Sequence, residues 1–215
     1  MTESPALVVL AKTPRPGASK TRLHPPCTYE EAAAIAAASL HDTLAAVAAA
    51  RVARRVLVLD GAPPPGVPPG FEVLAQRGRG LGERLAAAFE DAGPSILIGM
   101  DTPQVTPALL EHALRSLHEP GIDAVLGHTL DGGYWTIGLR RPDRRAFCGV
   151  PMSSARTGAA QRRRLHELGL RVATVKRLRD VDFFDDALLV AQEIPGTRFG
   201  RVVGSFGSQY LRASA

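Results

Sequence analysis

The chain has few cysteines, few aromatic residues and no long apolar stretch. Its 215 residues contain only Cys27 and Cys148, which excludes a disulfide framework and a cysteine-rich metal site. Phe, Trp and Tyr make up 5% of the chain and do not interleave with basic residues, so a stacking surface for nucleic acid is absent. No apolar run approaches the roughly 20 residues of a membrane span, and Met1–Pro5 does not read as a signal peptide. We therefore expect a cytoplasmic protein that binds neither nucleic acid nor membrane.

The length and composition of the chain are those of a folded domain of the size of a small enzyme. Apolar residues make up 45%, which supports a hydrophobic core, and 215 residues suit one α/β domain better than two. Lys and Arg exceed Asp and Glu by 26 to 21, a net charge of +5. This excess suits small phosphorylated substrates as well as it suits nucleic acid.

Apolar runs of strand length alternate along the chain with helical patterns. The predicted strands are Ala6–Ala11, Arg55–Asp60, Phe71–Ala75, Ser95–Met100, Asp123–Gly127, Tyr134–Leu139 and Arg171–Val175. The predicted helices are Thr28–Ala50, Gly82–Ala92, Thr106–Leu117, Ala155–Gly169 and Asp185–Glu193. The pattern predicts a Rossmann-like α/β fold, a mostly parallel mixed sheet with helices on both faces. About six residues separate the fifth and sixth strands, too few for a parallel crossover, so one strand should be antiparallel. Residues 1–194 form a single predicted domain, and residues 195–215 an arm or partly disordered tail.

The loop after the first strand carries a cluster of cations. It reads K-T-P-R-P-G-A-S-K-T-R-L over residues 12–23, and it matches neither the P-loop nor the G-x-G-x-x-G pattern. Lys12, Lys20 and Arg22, with a turn at Gly17, suit a polyphosphate bound beyond a strand end. A solvated basic turn is the competing interpretation.

Carboxylates follow two of the other strands. Asp101 ends the most apolar strand in G-M-D-T-P, and a carboxylate there must be paired or bound to a metal. Asp180 and Asp182 share one side of the extended segment after the last strand. Asp101 and Asp182 are the predicted ligands of Mg²⁺ or Mn²⁺, which prefer carboxylate oxygens. The alternative is that these side chains cap the next turn or helix.

Two glycine-containing turns complete the candidate site. L-D-G-G-Y-W over residues 130–135 contains the common hairpin pair D-G, but its second glycine and its aromatic pair favour contact with a ligand. Q-R-G-R-G-L-G-E-R-L over residues 76–85 precedes a helix, where three glycines could contact a base, ribose or phosphate. A flexible surface turn explains the second loop equally well.

Five motifs together resemble one family. They are L-A-K-T-P-R-P-G-A-S-K-T-R-L, G-L-G-E-R-L, I-G-M-D-T-P, L-D-G-G-Y-W-T-I-G-L and D-V-D, spread from about Ala6 to Glu193. In this order they resemble the bacterial glycosyltransferase-A-like family of nucleotide-diphospho-sugar transferases, which is similar to the molybdenum-cofactor and phospholactate nucleotidylyltransferases. The resemblance implies a nucleotide-binding transferase domain of the glycosyltransferase-A type, with the nucleotide over the first half of the sheet.

By position, the resemblance implies a role for each matched residue. Lys20 and Arg22 match phosphate-contacting positions, Gly80, Leu81 and Gly82 the nucleotide-side loop, Asp131 and Gly132 the acceptor-side turn, and Asp101 and Asp182 the metal positions. The chemistry of the same loops adds Lys12 and Gly17 to the predicted nucleotide contacts, and Gly133 and Tyr134 to the predicted acceptor contacts. Lys20, Arg22 and Asp131 are the predicted catalytic residues. The acceptor pocket should also involve residues 152–157.

Three functions are compatible with these residues. The first is nucleotidylyl transfer from a nucleoside triphosphate to a small phosphorylated acceptor, which needs no protein base. The second is glycosyl transfer from a nucleotide-sugar, with Asp131 as base or orienting group. The third is a non-catalytic nucleotide-binding protein. The fold does not choose among them, and the oligomeric state is open.

Overall fold

Seven strands and six helices alternate through the part of the chain that the structure describes. The computed structural model describes residues 4–213, and in the last helix the side chains only through residue 207 and that of Tyr210. Residues 214 and 215 of the predicted tail lie outside the described range. Strands β1–β7 are Ala6–Lys12, Arg55–Asp60, Phe71–Ala75, Ser95–Ile98, Ala124–Thr129, Tyr134–Leu139 and Val172–Leu178. Helices α1–α6 are Tyr29–Ala49, Leu81–Ala92, Pro107–His118, Thr157–Glu167, Phe184–Glu193 and Arg198–Ala213.

The strands form one mixed sheet in the order β3-β2-β1-β4-β6-β5-β7. All neighbouring pairs are parallel except those of β6, which is antiparallel to both β4 and β5. This confirms the predicted fold class and the reversed strand. The strand order changes direction between β1 and β4, so the loops that follow these two strands diverge and leave a crevice at the carboxyl edge of the sheet.

Helices cover both faces of the sheet because its central strands are apolar on both sides. One core lies between the sheet and helices α1 and α3, and a second lies between the other face and helix α2 with the segment around Phe147. The predicted capping box opens α1: Thr28 Oγ1 accepts from the Glu31 amide at 3.2 Å, and Glu31 Oε2 accepts from the Thr28 amide at 2.8 Å. At the start of α3 only the side-chain half of such a cap is present: Thr106 Oγ1 accepts from the Leu109 amide at 3.2 Å, with Pro107 in the first turn.

Helix α6 occupies most of the segment where the sequence predicts an arm or partly disordered tail. It packs on α1 and α5, and Phe199 and Val203, one turn apart, are fully buried in a third apolar cluster. Gly200, Gly204 and Gly207 lie between the apolar positions and weaken the helical pattern in the sequence. The division of the chain at residue 194 stays a prediction.

Helix α1 is more apolar than the sequence analysis allowed for. Its 21 residues are long and apolar enough to cross a membrane by length and composition, yet 61% of its apolar stretch is buried inside the protein. It packs against β1, α3 and α6, as a core helix does.

Candidate functional site

A cavity of about 760 Å³ opens at the carboxyl edge of the sheet, where β1 and β4 diverge. Its walls come from the loop after β1, the start of α2, the segments after β4 and β7, the β5–β6 turn and the loop before α4. These are the loops in which the sequence places the candidate residues. The topology brings them together because parallel strands end at a common edge.

Lys20 lies at the centre of the charged cluster. It has a left-handed backbone, φ 50°, which turns its side chain out of the loop and into the site, where the side chain is only 8% exposed. Its ammonium group contacts Asp101 Oδ1 at 2.5 Å and donates to the carbonyl of Val181. Burial alone would lower the pKa of Lys20, but the carboxylates of Asp101, Asp180 and Asp182 outweigh burial and raise it. Lys20 is therefore a permanent cation among carboxylates.

Arg22 forms a second ion pair across the cavity. Its Nη1 atom donates to Asp182 Oδ2 at 2.8 Å, and the guanidinium lies 6.0 Å from the ring centre of Phe183. Both side chains of the pair are partly exposed, at 60% and 32%. The two cations expected to bind phosphate are thus paired with the two carboxylates expected to bind metal.

Helix α2 begins at the cavity wall. Gly80 is its N-cap and provides no side-chain hydrogen bond to the first turn, so amides there remain available. Gly80, Leu81, Arg79 and Arg84 line the cavity. Arg84 is held by Asp60 Oδ2 at 2.8 Å.

Three carboxylates lie close together on the opposite wall. The ligand oxygens of Asp131, Asp180 and Asp182 are all within 4.8 Å of one another. Burial raises the pKa of Asp180, and the Asp101 carboxylate raises it further, to about 8, although Lys20 acts in the opposite direction. Asp180 therefore holds its proton at neutral pH.

The β5–β6 turn positions Asp131 and docks helix α4. Asp131 Oδ1 accepts from the Gly133 amide at 3.1 Å, which fixes the carboxylate at the tip of the turn. Gly132 has φ 94°, and a Cβ there would come within 2.0 Å of the Ala155 carbonyl oxygen. The Gly132 carbonyl also accepts from the Gly158 amide at 2.9 Å. Glycine is thus required at position 132 for contact with the α4 loop.

Ten of the predicted site residues line the cavity and three do not. Those that line it are Lys12, Lys20, Arg22, Gly80, Leu81, Asp101, Asp131, Gly133, Tyr134 and Asp182. Gly17 shapes the preceding turn, with φ 70°. Gly82 lies against Phe147 and Met152, and Gly132 lies against Ala155. These three glycines allow close backbone packing, and their predicted contacts with a ligand stay predictions.

The structure also adds residues to the site. Asp182 is grouped with Asp180 and Asp131 rather than with Asp101, which lies outside the triad and pairs with Lys20. Arg79 and Arg84 join the cationic wall and Thr102 lines the cavity beside Asp101, while Ser153 lines it within the range 152–157 that the sequence predicts for the acceptor pocket. Their positions within the motifs were visible in the sequence, but nothing in their spacing separated them from the neighbouring residues.

Tyr134 and Trp135 are positioned by the core. Burial raises the pKa of Tyr134, so its hydroxyl stays protonated and hydrogen-bonds Gln161 Oε1 at 3.3 Å. Trp135 is 3% exposed and its indole donates to the Lys176 carbonyl at 2.8 Å. The aromatic pair that the sequence associates with a ligand therefore mainly anchors the turn.

Solved structures share this fold. A protein of Desulfovibrio desulfuricans G20, provisionally named a nucleotide-diphospho-sugar transferase, superposes with a TM-score of 0.82 at 24% identity over 96% of both chains. A cytidylyltransferase of Leptospira borgpetersenii gives 0.57 at 10% identity over 96% of this chain and 94% of that one. CMP:2-keto-3-deoxy-manno-octonic acid synthetase with CTP gives 0.54 at 16% identity over 89% and 100%. At these identities the likeness establishes the fold alone.

No curated protein matches the chain. Residues 43–154, just over half of the chain, match the sequence model of a protein family. This range includes α2, the Asp101 segment and the β5–β6 turn. The chain therefore belongs to the bacterial family described as "Uncharacterized protein conserved in bacteria (DUF2064)".

Proposed function

We propose that the protein is a metal-dependent transferase that moves a nucleotidyl group from a nucleoside triphosphate to a small acceptor. The observation that carries the proposal is the division of charge in the cavity. One wall presents Lys12, Lys20, Arg22, Arg79 and Arg84, and the other presents Asp101, Asp131, Asp180 and Asp182. The cationic wall can bind the phosphates of a triphosphate, and the acidic wall can bind a divalent cation beside those phosphates.

The donor phosphates fit the cationic wall. Lys12 and Arg79 are exposed at the cavity and, among the described residues, form no ion pair. The start of α2 adds backbone amides and the positive end of a helix dipole. Lys20 and Arg22, the members of the cationic wall that form ion pairs with the acidic wall, would stabilise charge on the transferred phosphate.

The carboxylate triad fits Mg²⁺ or Mn²⁺. Its donors are oxygen atoms only, they lie within 4.8 Å of one another, and a cation bound there would displace the proton that burial and the neighbouring carboxylates keep on Asp180. Asp131, Asp180 and Asp182 would hold the metal, whose role would be to neutralise phosphate charge. Metal ligation by Asp101 stays a prediction, because its Oδ1 atom contacts Lys20.

The protein's own contribution would be positioning and electrostatics. The cations hold the triphosphate, the β5–β6 turn holds Asp131, and the loop before α4 closes the acceptor side of the cavity. Such preorganisation accounts for much of the rate enhancement in phosphoryl-transfer enzymes.

Glycosyl transfer is the second candidate. It is favoured by the name given to the Desulfovibrio protein, whose fold covers 96% of this chain. The same walls would bind a nucleotide-sugar, and the metal would neutralise the departing diphosphate. The identity of the donor therefore separates the two candidates.

A thermal-shift screen followed by a turnover assay tests the proposal. We expect one nucleoside triphosphate to raise the unfolding midpoint with Mg²⁺ or Mn²⁺ and much less without it, since a ligand of the native state stabilises it. Pyrophosphate release on adding an acceptor mixture would then support nucleotidylyl transfer.

Two variants make the screen specific. Arg79→Ala should reduce the shift, whereas Arg77→Ala, whose side chain pairs with Asp91 outside the cavity, should retain it. A shift with nucleotide-sugars alone would favour glycosyl transfer. A metal-independent shift without turnover would point to a non-catalytic binding protein.

A further inference from the structure

The charge division of the cavity follows the order of the sequence. Every basic side chain in the described lining comes from residues 12–84, and that part of the lining contains no acidic residue. Every acidic side chain comes from residues 101–182, where the described lining contains no Lys, Arg or His. The two halves of the chain therefore build two chemically different subsites.

The acidic half is the side left for the acceptor. The donor phosphates require the cationic half, so the acceptor must face the β5–β6 turn and residues 152–157. A phosphorylated acceptor, as the sequence suggested, would place a second dianion near the donor phosphates, in a half whose described lining offers it no Lys, Arg or His. The nearest cations are already engaged, Lys20 by Asp101 and Arg22 by Asp182. Like charges at such short range repel strongly.

The acceptor half offers groups that recognise hydroxyls. Ser153 is exposed at the cavity, in a left-handed backbone conformation with φ 55°. Thr102 lines the cavity beside Asp101, is 1% exposed, and its Oγ1 atom has no hydrogen-bond partner in the described structure. A buried hydroxyl without a partner is costly, and a polar group in the cavity would satisfy it.

We infer that the acceptor is an uncharged, hydroxyl-rich compound such as a sugar or polyol, and that it carries no phosphate. The inference rests on the proposed function and names its second substrate class. An acceptor hydroxyl oxygen forms the new bond to the α-phosphorus while the bond from that phosphorus to the bridging oxygen breaks. Pyrophosphate leaves with the electron pair, and the hydroxyl proton passes to water.

Ligand-observed NMR with matched compounds tests the inference. The protein is saturated with Mg²⁺ and a non-hydrolysable triphosphate analogue, then mixed with glucose and its phosphate monoester and with glycerol and its phosphate monoester. We expect each phosphate monoester to bind about tenfold more weakly than its neutral partner, or not at all.

A charge-gain variant provides the matched control. Ala155→Arg places a cation in the acceptor half and should improve binding of the phosphate monoesters about tenfold. Ala159→Arg, exposed on α4 but outside the lining, should leave their binding unchanged.

The inference is overturned if the phosphate monoesters bind the natural protein as well as the neutral compounds do, or if neither neutral compound binds. The thermal shift from the triphosphate analogue is recorded in the same samples, and the NMR series is repeated without nucleotide. Loss of the shift alone would refute the proposed donor. An inverted preference with a normal shift would refute only the acceptor class.

Discussion

The two walls of the cavity are built by the same fold from opposite kinds of residue. The cationic wall follows β1 and opens α2, where Lys12 and Arg79 are exposed and form no ion pair among the described residues. The acidic wall follows β4, β5 and β7, where burial and then the neighbouring Asp101 carboxylate raise the pKa of Asp180 to about 8. The first wall can bind an anion as it stands, whereas the second keeps a proton on Asp180 that a bound cation would displace. Lys20 and Arg22 link the walls through ion pairs.

Removing the Lys20 cation should have the largest effect on triphosphate binding and on stability. Lys20→Met leaves Asp101 and Asp180 without their compensating charge and removes the proposed phosphate contact. We expect about 100-fold weaker triphosphate binding and about 2 kcal/mol lower stability. Calorimetric titration and denaturant unfolding measure the two quantities.

Lys12→Met is the matched control for this prediction. Lys12 is exposed and, among the described residues, unpaired, so its loss should weaken binding about tenfold and leave stability within about 0.5 kcal/mol. Equal loss of stability in both variants would show that Lys20 has no special compensating role.

The carboxylate triad can be tested against its neighbour. Asp182→Asn should lower Mn²⁺ affinity about 100-fold, because it removes a charged ligand from the group of three. Asp101→Asn should lower it less, since Asp101 is outside the triad and pairs with Lys20. Electron paramagnetic resonance titration of Mn²⁺ measures both. A larger loss in Asp101→Asn would restore Asp101 as the principal ligand.

A side chain at position 132 should disrupt the packing of the loop before α4 against the β5–β6 turn and lower stability. Gly132→Ala forces a Cβ to within 2.0 Å of a backbone carbonyl at a positive φ, and we expect a loss of about 2 kcal/mol or more. Gly149→Ala shares the positive φ but meets no atom within 4 Å, so it should cost about 1 kcal/mol. Thermal unfolding compares them, and equal midpoints would argue against the close contact.

Asp180 should make stability depend on pH in metal-free buffer. Its pKa rises from 3.8 when unperturbed to about 8 in the folded protein. The folded state therefore holds a proton that the unfolded state releases, and stability falls as pH rises through this range. Asp180→Asn should flatten that fall and raise stability at pH 8 by about 1 kcal/mol, or roughly 2–4 °C in the midpoint. Asp185→Asn, exposed in the same segment, should keep the slope of the natural protein.

Much of the fold followed from the sequence, because apolar runs, helix caps and a short connection are local signals. The β6 reversal depended only on connection length, and the α1 capping box only on Thr28 and Glu31. Helix α6 escaped prediction because three glycines interrupt its apolar face, and it gains its stability by packing on α1 and α5.

The sequence predicted where the site lies better than it predicted which side chains form ion pairs there. Strand ends indicated where Lys20, Arg22 and Asp182 would converge. Lys20 and Asp101 are 81 positions apart in the chain and come from different loops. Whether Asp101 binds a metal or pairs with Lys20 therefore depends on how these two loops pack. Sequence spacing contains no information on that choice.

The account's central claim is that triphosphate and metal bind together across the two walls. Calorimetric titration of the responding triphosphate into the protein, with and without Mn²⁺, tests it most directly. We predict affinity at least about tenfold higher with the metal, and an equal gain in metal affinity with the nucleotide, as linkage requires. The same affinity with and without Mn²⁺ would contradict the claim, because the acidic wall would then have no part in binding the donor.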